Sequence, residues 1–260
     1  MVDLNYIRSF FPSSIAKESC FDRYMLKEYL QLLILDHLAT TPYINKVAFI
    51  GGTNLRLIHG IDRFSEDLDF DCKGMTEDEF IAMTDSVILF LQRNNINVEP
   101  RDKRNPKLVA FRRNLYFPEM LFDLGLTGHR EERLLLKIEA QDQGISYLPE
   151  VVTVNRMGFF FNIQVAPLDI LCAMKFAAIL SRQKGRDFYD AIFLLSKTKP
   201  SISFLRERVG IESIDELKDA IAKKLLDVDL NVKKKDFVHL LLNMNKADSI
   251  LEFAGVVSKM

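Results

Sequence analysis

The chain has 260 residues, 48% hydrophobic and 27% charged, the profile of a globular protein with room for one large domain or two modest ones. Its net charge of -1 excludes a global basic field, so any nucleic acid must be met by a local patch. Three widely spaced cysteines (Cys20, Cys72, Cys172) without a CxxC pair argue against a disulfide framework and a zinc site, and they fit a reducing cytoplasm.

From the N-terminus, charges at Asp3, Arg8, Lys17, Glu18 and Asp22 interrupt any signal-peptide core, and no apolar run reaches the ~18 residues of a membrane span. Leu26, Tyr29, Leu30, Leu33, Ile34 and Leu38 recur at helical spacing and predict a helix over 21–39, ended by Thr40-Thr41-Pro42. Val47-Ala48-Phe49-Ile50 reads as a short buried strand that stops at Gly51-Gly52. A short helix is expected from Thr53 to His59, closed by Gly60. Leu68 to Cys72 alternates apolar and acidic residues at strand period. Thr76 then caps a helix whose first turn is acidic and whose apolar stripe runs through Ile81, Val87, Ile88 and Leu91. Further strands are predicted at 107–117, 133–140 and 159–165. After Pro167 the chain reads helical: 168–180, 187–197, 213–226, 235–243 and 247–257.

The chemistry concentrates between Gly51 and Asp71. On a strand, Asp67 and Asp69 lie on one face with Cα atoms roughly 6–7 Å apart, close enough to converge on Mg²⁺, which prefers oxygen ligands and shares them with substrate phosphates. Asp71 extends the same face but sits deeper. Alone, Asp-x-Asp fits a metal strand and a solvated edge alike. Gly51-Gly52-Thr53, between strand and helix, lets the backbone approach phosphate oxygens, although a bare Gly-Gly also serves as a plain turn.

Taken together, Gly51-Gly52-Thr53 and Arg63-Phe64-Ser65-Glu66-Asp67-Leu68-Asp69-Phe70 resemble the signature of the AbiEii-type nucleotidyltransferases. The likeness continues at Lys137-Ile138-Glu139 and at Lys175, Arg182 and Lys184-Gly185-Arg186-Asp187-Phe188-Tyr189-Asp190, in family order over residues 47–195. The resemblance implies an α+β fold: a polymerase β-like mixed sheet with flanking helices in residues 1–166, then an all-α domain in 167–260 that completes an active-site cleft. It implies an NTP-dependent, pyrophosphate-releasing transferase with Mg²⁺ or Mn²⁺ on Asp67, Asp69 and Glu139. Gly51, Gly52, Thr53, Ser65, Lys175 and Arg186 would contact the nucleotide, and Asp187 would orient or deprotonate the acceptor hydroxyl. It further implies a toxin of a toxin–antitoxin or phage-defence system, with the tRNA 3′ end as acceptor and a cognate antitoxin as partner.

Each residue also has a plainer reading. Glu139 stands where many nucleotidyltransferases carry Asp, and it could pair with Lys137 or an arginine. Lys175 could snorkel to solvent, and Asp187 could cap a helix. Arg93, Arg101, Lys103, Arg104, Lys107, Arg112 and Arg113 form a local basic excess that suits an RNA backbone or a solvated hairpin. Nucleotidylation of protein Ser, Thr or Tyr, and nucleotide binding without turnover, remain open at this level.

Overall fold

The computed structural model describes residues 2–101 and 110–260. The chain divides into two compact units: Met1–Ile58, Ser65–Gln143 and Val151–Val165 make the first, and His59–Phe64, Gly144–Glu150 and Ala166–Met260 the second.

In the first unit, short helices α1 (Leu4–Arg8) and α2 (Ser13–Ala16) lead into α3 (Asp22–Ala39), whose Met25, Leu26, Leu30, Ile34, Leu35 and Leu38 are buried as the helical spacing requires. All four residues of β1 (Val47–Ile50) are buried. Helix α4 (Gly51–Leu57) begins at once, two residues earlier than the sequence suggests, because Gly51 takes φ +78° at its start. Strand β2 (Asp67–Cys72) is followed by α5 (Glu77–Arg93), which opens on a reciprocal cap: the Thr76 hydroxyl accepts from Glu79 N–H, and the Glu79 carboxylate accepts from Thr76 N–H. Then come β3 (Glu99–Pro100), β4 (Phe111–Phe117), α6 (Met120–Asp123), β5 (Leu134–Gln141), β6 (Glu150–Arg156) and β7 (Phe159–Val165).

The strands form one mixed seven-stranded sheet in the order β3-β4-β5-β2-β1-β7-β6. Strand β1 runs antiparallel to β2 and parallel to β7, β2 runs parallel to β5, and β4 antiparallel to β5. Leu68, Phe70, Leu136 and Ile138 point into the core, while Asp67, Asp69, Lys137 and Glu139 alternate with them on a half-buried face. Strand β6, which the sequence reading passed over, is the sheet's edge. Its Val151-Val152-Thr153-Val154 run has the β-branched composition of a strand, but only Val154 of its seven residues is buried, so no apolar alternation marks it.

The second unit is helical: α7 (Leu168–Ser181), α8 (Gly185–Leu195), α9 (Ile202–Val209), α10 (Ile214–Leu225), α11 (Leu230–Lys235) and α12 (Phe253–Ser258). Its core stacks Phe188 edge-on to Phe253 (5.0 Å between centroids) and Tyr189 against Phe237 (5.3 Å). The chain backbone of α11 passes so close to the start of α8 that a Cβ on Gly185 would lie 1.9 Å from the Lys233 carbonyl oxygen. The helix expected over 235–243 does not form. Only one 3-10 turn, Val238–Leu240, occurs there, because the following backbone pairs instead with residues 62–64. Phe64 N–H donates to Leu240 C=O (2.8 Å), and Leu242 N–H donates to Asp62 C=O (3.4 Å). A 3-10 segment, Met244–Glu252, likewise takes the first part of the expected 247–257 helix, which is α-helical only from Phe253 in α12.

Candidate active site

The carboxylates of the first unit are arranged by strand register. In the parallel β2–β5 pair, Asp69 stands beside Glu139 and Asp67 beside Lys137, and β4 sets Arg112 opposite Glu139. Side chains at these positions share one face, so two cross-sheet rows result: Asp69, Glu139 and Arg112 in one, Asp67, Lys137 and Asn114 in the next. Lys137 Nζ lies 3.6 Å from Asp67 Oδ1, and Arg112 Nε 2.8 Å from Glu139 Oε1. Glu139 thus has an arginine partner. Among the described residues no group of three His, Cys, Asp or Glu side chains is gathered at ligand spacing.

Asp67 and Asp69 nonetheless fit a hard divalent cation. Their donors are all carboxylate oxygens, the set that Mg²⁺ and Mn²⁺ take, and both side chains are half-buried rather than sealed. The space at Asp69 depends on Gly51, since a Cβ there would lie 2.2 Å from Asp69 Oδ2. Asp71 is different. It is 1% exposed and accepts the Gln143 N–H on Oδ1 at 3.0 Å, so it ties the end of β2 to the chain after β5.

The residues expected to contact phosphate are spread over α4 and the approach to β2. Gly51 is half-buried and Gly52 buried. Thr53 is fully buried, and its hydroxyl donates to the Asp67 carbonyl oxygen, which fastens α4 to β2. Ser65 is nearly buried, and its carbonyl accepts from Gln31 Nε2 at 3.1 Å.

The second unit holds the remaining candidates. Lys175 on α7 and Asp187 on α8 come together, with Nζ 3.4 Å from Asp187 Oδ1. Lys175 Nζ also lies 2.7 Å from Asp190 Oδ2. Arg182 donates Nε and Nη2 to the two oxygens of Asp187, both at 2.9 Å. Arg186 is half-buried and adds its field to Asp187. Burial alone would push the Asp187 carboxyl up, but Lys175, Arg182 and Arg186 outweigh it and hold the group at about 2. A carboxylate so held is ionised at neutral pH and weakly basic, which suits orientation better than proton abstraction.

Two residues without an assigned role from sequence complete this network. Arg63 donates Nε and Nη2 to the oxygens of Asp190 at 2.6 and 2.7 Å, and the two are 1% and 0% exposed. The available signals were an arginine two positions before Ser65 and an acid three positions after Asp187, on one face of α8. His59 is settled differently. Its Nε2 is buried with no hydrogen-bond partner among the described residues, and burial followed by the charge of Lys197 lowers its pKa, which favours the neutral ring. Of the basic run, Lys103, Arg104 and Lys107 lie outside the described residues, as do residues 107–109 of the predicted strand. Arg113 pairs with Asp85, and Arg101 sits 5.4 Å over the Tyr116 ring.

A family model described as nucleotidyl transferase AbiEii toxin, type IV TA system, matches residues 33–249. The chain belongs to the AbiEii family. Every candidate from Gly51 to Asp190 falls within the matched stretch. The protein is therefore a nucleotidyltransferase of a toxin family, and the type IV description implies an antitoxin counterpart. Among solved structures, MenT4, a nucleotidyltransferase toxin from Mycobacterium tuberculosis H37Rv, shares 15% identity with a TM-score of 0.67, covering 100% of this chain and 91% of its own. JHP933 from Helicobacter pylori shares 20% identity with a TM-score of 0.54, covering 91% and 90%. A putative nucleotidyltransferase from H. pylori shares 21% with a TM-score of 0.55, covering 90% and 93%. At these identities the likeness establishes the AbiEii chain's nucleotidyltransferase-like fold. No curated protein matches it. No helix among the described residues is long and apolar enough to cross a membrane.

Proposed function

We propose that the protein transfers a nucleoside monophosphate from an NTP to a hydroxyl of RNA, at the 3′ end of tRNA, and that this transfer is the toxic activity in the cytoplasm and in phage defence. The observation that carries the reading is the β2–β5 register, which sets Asp69 beside Glu139 with Asp67 on the same face and Gly51 against the Asp69 carboxylate. The acceptor oxygen attacks the α-phosphorus, the bond to the pyrophosphate oxygen breaks, and the hydroxyl proton passes to solvent water. Asp67 and Asp69 would hold Mg²⁺, or Mn²⁺ in its place, with Glu139 completing the set by exchanging its Arg112 partner; the ion would neutralise phosphate charge and acidify the acceptor hydroxyl.

The chain's own groups do the rest. Main-chain N–H groups of Gly51 and Gly52 would meet phosphate oxygens at the start of α4, with Thr53 fastening that turn to β2 and Ser65 before β2. Lys175 and Arg186 neutralise the triphosphate. Asp187 stays ionised and orients these cations and the acceptor.

The test is incubation with each α-labelled NTP, Mg²⁺ and total RNA. The wild type is expected to label RNA, and Asp69→Ala to lose at least about 10²-fold of that rate, the scale of losing a preorganised electrostatic group. Equal labelling by Asp69→Ala, or no labelled product with the wild type, would refute the mechanism. Label on protein instead of RNA would refute the acceptor and select nucleotidylation of Ser, Thr or Tyr.

A further inference from the structure

The buried charges of the second unit form a single chain: Arg63, Asp190, Lys175, Asp187, Arg182. It runs from a sealed end, where Arg63 and Asp190 are 1% and 0% exposed, to an open end, where the Arg182 side chain is 47% exposed. Three cations alternate with two carboxylates along it. Arg63 is held from behind as well as in front. Its Nη1 donates to the Phe64 carbonyl at 2.8 Å, and its backbone bridges to Leu241.

Such an arrangement is a poor way to gain stability alone, because packed apolar residues of similar volume commonly serve as well as a buried ion pair. It is a good way to fix a lysine. An ammonium on a four-carbon stem has no planar fork to orient it, whereas Arg63 and Asp190 meet through two parallel hydrogen bonds that define a plane. Asp190 then presents Oδ2 to Lys175 Nζ at 2.7 Å while Asp187 approaches it at 3.4 Å. Held between two carboxylates, the ammonium is set before any ligand arrives, and no reorganisation is needed on binding.

We propose that Arg63 and Asp190 are positioning residues for the nucleotide: Arg63 locks Asp190, and Asp190 fixes the Lys175 ammonium where it meets the triphosphate. Neither touches the nucleotide. The assignment rests on the reading of Lys175 as a triphosphate contact.

The two are separated by binding measurements that need no acceptor. Dissociation constants for the four α,β-methylene nucleoside triphosphates with Mg²⁺ are taken by calorimetry for wild type, Lys175→Met, Asp190→Asn and the Lys175→Met/Asp190→Asn pair. For the best-bound analogue, Lys175→Met is expected to weaken binding about tenfold or more, the worth of one charge-assisted contact. Asp190→Asn should reproduce most of that loss, and the double variant should be no weaker than Lys175→Met within about twofold, since both act through one ammonium. If Lys175→Met weakens binding while Asp190→Asn leaves it unchanged, or if the two losses multiply, Asp190 is structural only and the proposal falls. If Lys175→Met itself binds as wild type, the triphosphate role of Lys175 falls and takes the proposal with it. Arg63→Met/Asp190→Leu removes both charges together and keeps the site apolar and filled, so it serves if Asp190→Asn does not fold; wild-type affinity in that variant overturns the proposal equally.

Discussion

At the scale of single residues, neighbours rather than residue type decide what each carboxylate does. Asp67 and Asp69 stay half-exposed on an open sheet face, Asp71 two positions on is sealed against a backbone N–H, and Asp187 is buried among three cations. The last has a measurable consequence. The folded Asp187 carboxyl lies at about 2 against an ordinary 3.8, so its ionised form stabilises the fold fully above the unfolded value, and this stability is lost as pH falls from about 4 through 2. By linkage the difference is worth about 2 kcal/mol. Asp187→Asn is therefore expected to lower stability at neutral pH by roughly that amount or more and to flatten the acid limb. Chemical denaturation from pH 2 to 7 checks it, and parallel acid limbs for variant and wild type would contradict it. Lys175 illustrates the limit of sequence at this scale. Its place on an apolar helix suited a snorkelling ammonium as well as a phosphate contact, and burial against Asp187 and Asp190 removes the first.

At the scale of elements, the approach of α4 to β2 controls the candidate metal face. Gly51 leads α4 with φ +78°, where an L side chain costs about 1–2 kcal/mol, and its absent Cβ leaves the space that Asp69 Oδ2 occupies. Gly51→Ala should displace the Asp69 carboxylate by the order of an ångström and lower the transfer rate about 10²-fold, the usual cost of such a misplacement. Thermal melting of the same variant shows whether it still folds, and a folded Gly51→Ala with wild-type turnover would contradict the assignment. Most elements near the site were legible because their periods were clean. Strand β2 alternates, β5 alternates, and Thr76 with Glu79 announces α5. The failures have tertiary causes. The 235–243 stretch has helical composition, but Leu240 and Leu242 give their backbone groups to residues 62–64, a partner more than 170 positions away that no local pattern encodes.

At the scale of the whole molecule, ligand and fold are linked by mass action. A metal–nucleotide pair that binds only the folded chain at about a hundred times its dissociation constant adds about 2.7 kcal/mol. For a chain of this size that corresponds to a rise in Tm of roughly 5–10 °C. Thermal scans with Mg²⁺ and each NTP should show the rise in the wild type and lose most of it in Asp67→Asn; a Tm unmoved by every NTP would argue against occupancy of this site. The sequence by itself determined the α+β plan, the family, the strands that carry Asp67, Asp69 and Glu139, and the helices that carry Lys175 and Asp187. It could do so because each of these is a short-range pattern: a period of two, a period near four, a glycine at a turn. Only the tertiary structure decided that residues 59–64 belong to the helical unit, that Arg112 and Lys137 face the carboxylate row, and that Arg63 and Asp190 brace Lys175. Those are pairings across strands or between distant segments. Their energies depend on burial and on the distance between charges, which the order of residues along the chain does not specify.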